Sequence, residues 1–468
     1  MTELRSLRRR VELGLIVLIA IITASAYALA GLGASASLPA DLLPFLGIVL
    51  GLLLVAHLAV RRFAPNADGL ILPLAALLNG LGYVFIARLD NDLAAPQATW
   101  TAIGIGAFVA TLVLVRRPRD LQRYRYTFLL AGLVLLILPF TPIGFANLGA
   151  QIWVRLGPLT FQPGELAKLA MLLFFAGYLV ENRELLSVST FRIGPLMLPD
   201  PKRLGPLILA LGAALFIFVQ QNDLGPSLMI FTVFLVMIWV ATERLSYLVL
   251  GSGLFVVGAY LAYTQFAHVA PRFEVWLDPW RPEVIRGEAY QIVQSTYALA
   301  QGGLTGTGLG LGNPERVPVV TTDFIFTAIG EELGLVGATA VLITFLLLVG
   351  SALRLAVVAE HPYDKLLAVG IATLIATQVF IIVGGITRVL PLTGIALPFV
   401  SYGGSSLLAN FVLVALLARI SAPGRPRRRR RRAAAEDEPA AAETDEQAGA
   451  GPASGDPSAA APPRAGEA

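Results

Sequence analysis

Apolar runs of about twenty residues, separated by short polar or basic stretches, recur along the first 420 positions of the chain. A run of ~20 apolar residues is long enough to cross the hydrocarbon core of a bilayer as a helix. That core holds no water to satisfy exposed backbone groups, so helices are the elements this pattern predicts. They fall near 12–32, 41–60, 69–87, 97–116, 125–142, 163–182, 203–220, 224–241, 244–265, 323–351, 363–388 and 395–420. The expectation is an all-α, polytopic membrane bundle of about twelve spans. Four connecting segments stand apart: 143–165, the short turn 220–223, the long 266–322, and 387–398. They are neither apolar nor basic, and segments rich in Gly, Pro, Trp and Gln are where binding and chemistry concentrate. No internal repeat of the kind that marks many transporters is evident.

Charge then orients the bundle. With the N-terminus inside and sides alternating, the inward segments collect Arg5, Arg8 to Arg10, Arg61, Arg62, five arginines from Arg116 to Arg125, Arg183, Arg192, Lys202, Arg203, Arg244, Arg354 and Lys365. The outward segments collect Arg88, Arg155, Arg272, Arg281, Arg286, Arg316 and Arg388. Lys and Arg favour the cytoplasmic side. Both termini are therefore expected in the cytoplasm, and the four unusual segments on the outer face of the inner membrane.

Composition agrees with a membrane chain: 56% hydrophobic and 14% charged, against about a quarter charged in soluble domains. The sequence has no cysteine, which excludes disulfides, thiolate nucleophiles and cysteine-bound zinc. His57, His268 and His361 are too scattered for a histidine metal site. The basic start followed by an apolar run, without a small-residue cleavage signature, reads as a retained first span. After the last span, Arg425 and Arg427 to Arg432 form a basic cluster suited to anionic lipid headgroups rather than to nucleic acid. The acidic Ala/Pro-rich stretch with Glu436, Asp437, Glu438, Glu443, Asp445 and Glu446 has too little apolar surface to fold.

The chemistry-bearing residues lie in the outer segments. They include Asn147-Leu-Gly-Ala-Gln-Ile-Trp-Val-Arg-Leu-Gly157, Phe161-Gln-Pro-Gly-Glu-Leu-Ala-Lys168, Gln221-Asn-Asp-Leu-Gly225 and Trp276-Leu-Asp-Pro-Trp280. Further along come Tyr290-Gln-Ile-Val-Gln-Ser295, Gly302-Gly-Leu-Thr-Gly-Thr-Gly-Leu-Gly310, Thr321-Thr-Asp-Phe-Ile-Phe326 with Gly330-Glu-Glu-Leu-Gly334, and Pro391 to Ser406. In this order and spacing they resemble the shape, elongation, division and sporulation family to which RodA and FtsW belong, with loops more like RodA. The resemblance covers about 69–420. It divides the chain into a basic N-terminus (1–11), two additional spans and a linker (12–68), a ten-helix core (69–420) and a disordered cytoplasmic tail (421–468).

The resemblance implies a peptidoglycan glycosyltransferase that polymerises lipid II on the outer face, with a class B penicillin-binding protein transpeptidase as partner and membrane lipids around it. Glycosyl transfer needs a base for the attacking hydroxyl and a cationic site for the departing pyrophosphate. It needs no redox cofactor, and a divalent cation is left open. By resemblance Asp323 matches the family's essential aspartate. Val319 and Thr321 stand where the family commonly has Glu and His, which leaves Asp323 as the one ionisable side chain between Arg316 and Glu331. The structural alternative is a first-turn carboxylate favoured by the helix dipole, with Thr322 as cap.

Glu165 and Lys168, three apart on one helix face, fit either an intrahelical ion pair or a phosphate-facing lysine oriented by its glutamate. Asp223 reads either as a helix cap or as a substrate contact, in a turn where Asn222 replaces the family's Pro. Gln294 and Ser401 are expected to contact substrate. Ile152 occupies the family's usual Arg position before Trp153, and Arg155 is expected to supply that charge as a substrate contact. Glu331 and Glu332 lie ~12 Å beyond Asp323 at helical rise, too deep for the same sugar hydroxyl, and read as structural or coupling residues. The glycine string 302–310 lacks the strand and Gly-Lys-Ser/Thr of a nucleotide loop and reads as a flexible outer loop. Two other functions fit a polytopic bundle. A lipid II flippase would spread ionisable residues through the membrane depth, and a scaffold for a transpeptidase would not need Glu165, Lys168 and Asp323.

Overall fold

The structure is a computed structural model that describes residues 2–39, 42–147, 149–157, 159–187, 191–193, 196–198, 201–266 and 269–422. The basic cluster after residue 424, the acidic tail and His268 lie outside the described residues. Helices dominate: α1 (Thr2–Ser35), α2 (Leu42–Phe63), α3 (Ile71–Leu89), α4 (Ala94–Leu114), α5 (Arg125–Ile137), α6 (Pro163–Glu181), a short α7 (Arg183–Ser187), α8 (Pro201–Gln220), α9 (Leu224–Thr242) and α10 (Leu245–Gln265). They continue with α11 (Ala270–Leu277), α12 (Tyr290–Gly302), α13 (Ile325–Val358), α14 (Pro362–Ile386) and α15 (Gly404–Ser421). Among the described residues, 11 helices are long and apolar enough to cross a membrane, and Leu204–Gln220 is a shorter apolar one. Together they account for the twelve expected spans of an all-α multi-pass bundle.

The pattern of burial places α6 at the centre. Nearly every residue from Ala167 to Leu179 is buried, including Phe174 and Phe175. The opposite case is α10, where Tyr247 and Gly251 alone are buried, so its apolar sides face lipid. The extra pair α1 and α2 packs on α3 through Tyr27, Phe45 and Tyr83, the last two stacked at 4.3 Å. At the far end of the same pair, Glu12 takes His57 Nδ1 at 3.0 Å and Arg61 Nη2 at 2.9 Å.

Three departures from the sequence pattern shape one end of the bundle. First, 143–165 is not a plain loop: β1 (Gly144–Asn147), β2 (Ala150–Leu156) and β3 (Leu159–Phe161) form an antiparallel sheet, with Phe145 opposite Trp153 and Val154 opposite Phe161. Strands β4 (Phe191–Ile193) and β5 (Leu196–Leu198) make a separate small hairpin. Second, the last span starts at Gly404 rather than near 395. Residues 391–397 form no regular element and lie against the start of α9, where a Cβ on Gly225 would meet Ile395 at 2.4 Å.

Third, α13 is broken at Gly334 (φ 68°, ψ −169°), and the glycine string closes the break. Leu335 N–H donates to Gly303 O at 2.9 Å and Val336 N–H to Leu304 O at 3.1 Å, while Thr307 and Gly308 donate back to the carbonyls of Glu331 and Glu332. The loop is thus a re-entrant partner of α13, not a free outer loop. Backbone groups freed inside a membrane protein need such partners.

Candidate active site

The site lies at the sheet-bearing end, where the turn before α13 meets α11, α12 and the 391–403 segment. Asp323 stands two residues ahead of α13, whose N-cap position is Phe324 and carries no side-chain cap bond. Neither Thr322 nor Asp323 occupies the N-cap position, and Thr322 Oγ1 donates to Val319 O at 3.2 Å. Ser401 fixes this turn from behind: its hydroxyl donates to Thr322 O at 2.5 Å and accepts from Leu397 N–H at 2.8 Å. Tyr402 N–H adds a bond to Thr321 O at 2.8 Å. In front, a Cβ on Gly394 (φ +69°) would sit 3.2 Å from Asp323 Oδ2, so the chain passes close over the carboxylate because that residue is glycine.

Asp323 opens into a cavity of about 630 Å³ that Arg272, Trp276, Arg286, Tyr290, Gln291 and Arg388 also line, within the ~300–1,000 Å³ usual for ligand pockets. Arg272, on α11, has Nη1 buried and without a hydrogen-bond partner. Burial lowers its pKa, and the charges of Asp223 and Asp323 raise it. Arg388 (φ +61°) holds α11 in place: Trp276 Nε1 donates to Arg388 O at 3.0 Å, and Arg388 Nη2 donates to Trp276 O at 3.2 Å.

Burial pushes Asp323 up from 3.8 to about 6, against the opposing pull of the Thr322 side chain and Arg272. Asp223, at the N-cap position of α9 but making no side-chain cap bond, is pushed from 3.8 to about 7. Burial is the main cause; Lys168 and Arg272 oppose it, and Glu165 and Asp323 add to it. Asp223 therefore links the two charged groups electrostatically. Behind it, Lys168 Nζ donates to Glu165 Oε1 at 2.9 Å, with both side chains buried near the start of α6.

The fold thus gathers Asp323, Asp223, Lys168 and Glu165 and sets Ser401 as a brace. Arg155 is exposed on β2, its guanidinium 5.0 Å from the Phe145 ring centre, and is not among the residues lining the cavity. Gln294 is half-buried on α12, and Gln291, about one turn earlier, is among the residues that line the cavity. Glu331 and Glu332 serve the re-entrant loop: they accept from Asn313 N–H at 2.8 Å and Gly310 N–H at 3.0 Å. Arg88 Nε lies 2.7 Å from Glu332 Oε1. Arg272 and Arg388 were not singled out by the sequence; their one signal is their place in the outward segments.

The FTSW_RODA_SPOVE family model, described as a cell cycle protein, matches residues 70–425. The peptidoglycan glycosyltransferase RodA of Mycobacterium tuberculosis is 44% identical over 431 residues, 89% of this chain and 91% of that protein. A probable peptidoglycan glycosyltransferase FtsW of Geobacter sulfurreducens is 33% identical over 368 residues, 76% of this chain and 95% of that one. Among solved structures, a chain of a peptidoglycan synthase complex matches with a TM-score of 0.61 at 26% identity, covering 76% of this chain and 97% of that chain. The rod shape determining protein RodA of Thermus thermophilus matches with a TM-score of 0.53 at 26% identity, covering 76% and 96%.

Proposed function

The chain belongs to the FtsW, RodA and SpoVE family of cell cycle proteins, and we propose that it polymerises lipid II into glycan strands with Asp323 as the base. It is a multi-pass inner-membrane peptidoglycan glycosyltransferase, nearer in identity to RodA at 44% than to FtsW at 33%. The observation that carries the site assignment is a half-buried Asp323 carboxylate facing a cavity that also holds the unpartnered Arg272 Nη1.

In the reaction, a sugar hydroxyl of one lipid II attacks the anomeric carbon that bears the pyrophosphate of another. The hydroxyl proton passes to Asp323 as the new C–O bond forms. The anomeric C–O bond to phosphate breaks, and its electrons leave with the undecaprenyl pyrophosphate. Arg272 receives that developing charge, and fixed donors aimed at a leaving anion are among the largest catalytic terms. Lys168, oriented by Glu165, holds the anionic headgroup, and Asp223 keeps the two cations in one field. The sheet-bearing end faces outward, with both termini in the cytoplasm, as the Lys/Arg distribution supports. The chain works with the peptidoglycan-synthesis machinery, and its direct partner is a class B penicillin-binding protein transpeptidase.

The test is polymerisation of purified lipid II by the purified protein with its transpeptidase. Asp323→Asn keeps the shape and loses the base, so strand synthesis is expected to fall about a hundredfold to ten-thousandfold while lipid II still binds. Lys168→Ala is expected to bind lipid II poorly. An Asp323→Asn protein that polymerises at the wild-type rate would end the assignment. Transport of lipid II across vesicles by a wild type that does not polymerise would favour the flippase.

A further inference from the structure

The family match begins at residue 70, so α1 and α2 stand outside it. Even so, the last turns of α1 touch the glycine loop that precedes Asp323 in the chain. Two glycines make the contact. A Cβ on Gly33 would lie 2.1 Å from Leu309 O, and one on Gly310 (φ +76°) would lie 2.3 Å from Ala30 O. Backbone therefore meets backbone at a distance no side chain would permit. Between these glycines, Leu309 packs into the Tyr27, Phe45 and Tyr83 cluster that joins the hairpin to α3.

The loop is clamped on its other flank by Glu332 and Glu331, which accept from Gly310 N–H and Asn313 N–H. Arg88 then ties α3 to the same place, donating to Gly312 O at 2.9 Å. From there the chain runs through buried Pro314, Val317 and Val320 directly to Asp323. These buried side chains give a shift at the loop tip a route to the carboxylate. Reacting groups misplaced by ~1 Å can cost about a hundredfold in rate.

We propose that the α1–α2 hairpin is a positioning element of the polymerase: Gly33 and Leu309 hold the re-entrant loop, and through it the register of Asp323 in the cavity. The inference rests on the reading of Asp323 as the base. A hairpin that served only as an extra membrane anchor would leave the kinetics of folded protein untouched.

The test uses the full chain with its transpeptidase and lipid II, comparing Gly33→Val, Leu309→Ala and Leu309→Met, with Leu29→Ala on the exposed side of α1 as control. Gly33→Val and Leu309→Ala are expected to lower kcat about tenfold or more with KM for lipid II within about twofold, the split that marks lost transition-state geometry. Leu309→Met is expected to restore most of the rate, and Leu29→Ala to match wild type. Amide exchange over 306–313 is expected to quicken in Gly33→Val, a readout that needs no turnover. Wild-type kcat and unchanged exchange in folded Gly33→Val would overturn the proposal. So would a rate loss that only follows the fraction of folded protein. A wild type that fails to polymerise would refute the role of Asp323 instead, and the exchange measurement would still decide whether the hairpin holds the loop.

Discussion

A carboxylate that must be charged to accept a proton sets the pH at which its enzyme can work. Burial raises Asp323 to about 6, and Arg272 is one of the groups holding it down. The rate of strand synthesis is therefore expected to fall as pH drops through about 6, not through the ordinary carboxylate value of 3.8. Removing the guanidinium in Arg272→Gln removes a stabiliser of the charged form, so the acid limb is expected to move to higher pH as well as to a lower plateau. A pH–rate series on the two proteins checks both. Stability runs the opposite way. A pKa raised on folding contributes stability that is full below 3.8 and lost as pH rises through about 6. Asp323→Asn is thus expected to melt above wild type near pH 8 and level with it near pH 4. At this scale the sequence was partly legible. Asp323, Asp223, Glu165 and Lys168 stand out because ionisable groups are rare in apolar surroundings. Arg272 does not, because nothing local separates it from the other outward arginines until α11 folds over the cavity.

The helices follow from their apolar runs, and the spans near 69–87, 163–182 and 224–241 agree with α3, α6 and α9 to within two residues. What the pattern does not carry is backbone that leaves the helix partway along it. Gly330-Glu-Glu-Leu-Gly334 reads as ordinary helix, and Gly302 to Gly310 as ordinary loop, because each is explained only by the other. Their glycines interlock: a Cβ on Gly334 would meet Gly306 N at 2.3 Å and Leu304 O at 2.5 Å, and one on Gly306 would meet Glu332 O at 2.2 Å. Gly334→Ala therefore combines a left-handed φ of +68° with a clash against main chain. It is expected to destabilise the protein by about 1–3 kcal/mol. Gly149→Ala, at φ +82° with open space around it, isolates the strain alone and is expected to cost less. Thermal unfolding in detergent compares them. The small β1–β3 sheet was missed for a related reason: its alternation is short, and it is tied to a distant segment by Gln151 N–H donating to Gln221 O at 3.1 Å.

At the scale of the whole molecule, the site needs every chemistry-bearing segment at one end of the bundle. The helix order delivers this, since α5 runs into the sheet, α8 ends at the Asp223 turn, and α13 and α15 start beside Asp323. Sequence alone reaches that arrangement through alternation: spans reverse direction, so segments separated by an even number of spans share a side. Which side is outermost is a matter of charge. The opposite end carries the clustered arginines of 116–125, including Arg125 paired with Glu181. Moving such a cluster across the membrane during insertion is unfavourable. Lipid II polymerised at the sheet-bearing end would then be used where the wall is built. Because the chain has no cysteine, one introduced thiol reports its own position. Glu283 and Asp120 are both exposed, at opposite ends of the bundle. In intact spheroplasts, Glu283→Cys is expected to react with a membrane-impermeant maleimide, and Asp120→Cys only after the membrane is opened. The reverse labelling would turn the bundle over and put Asp323 in the cytoplasm, away from the growing wall.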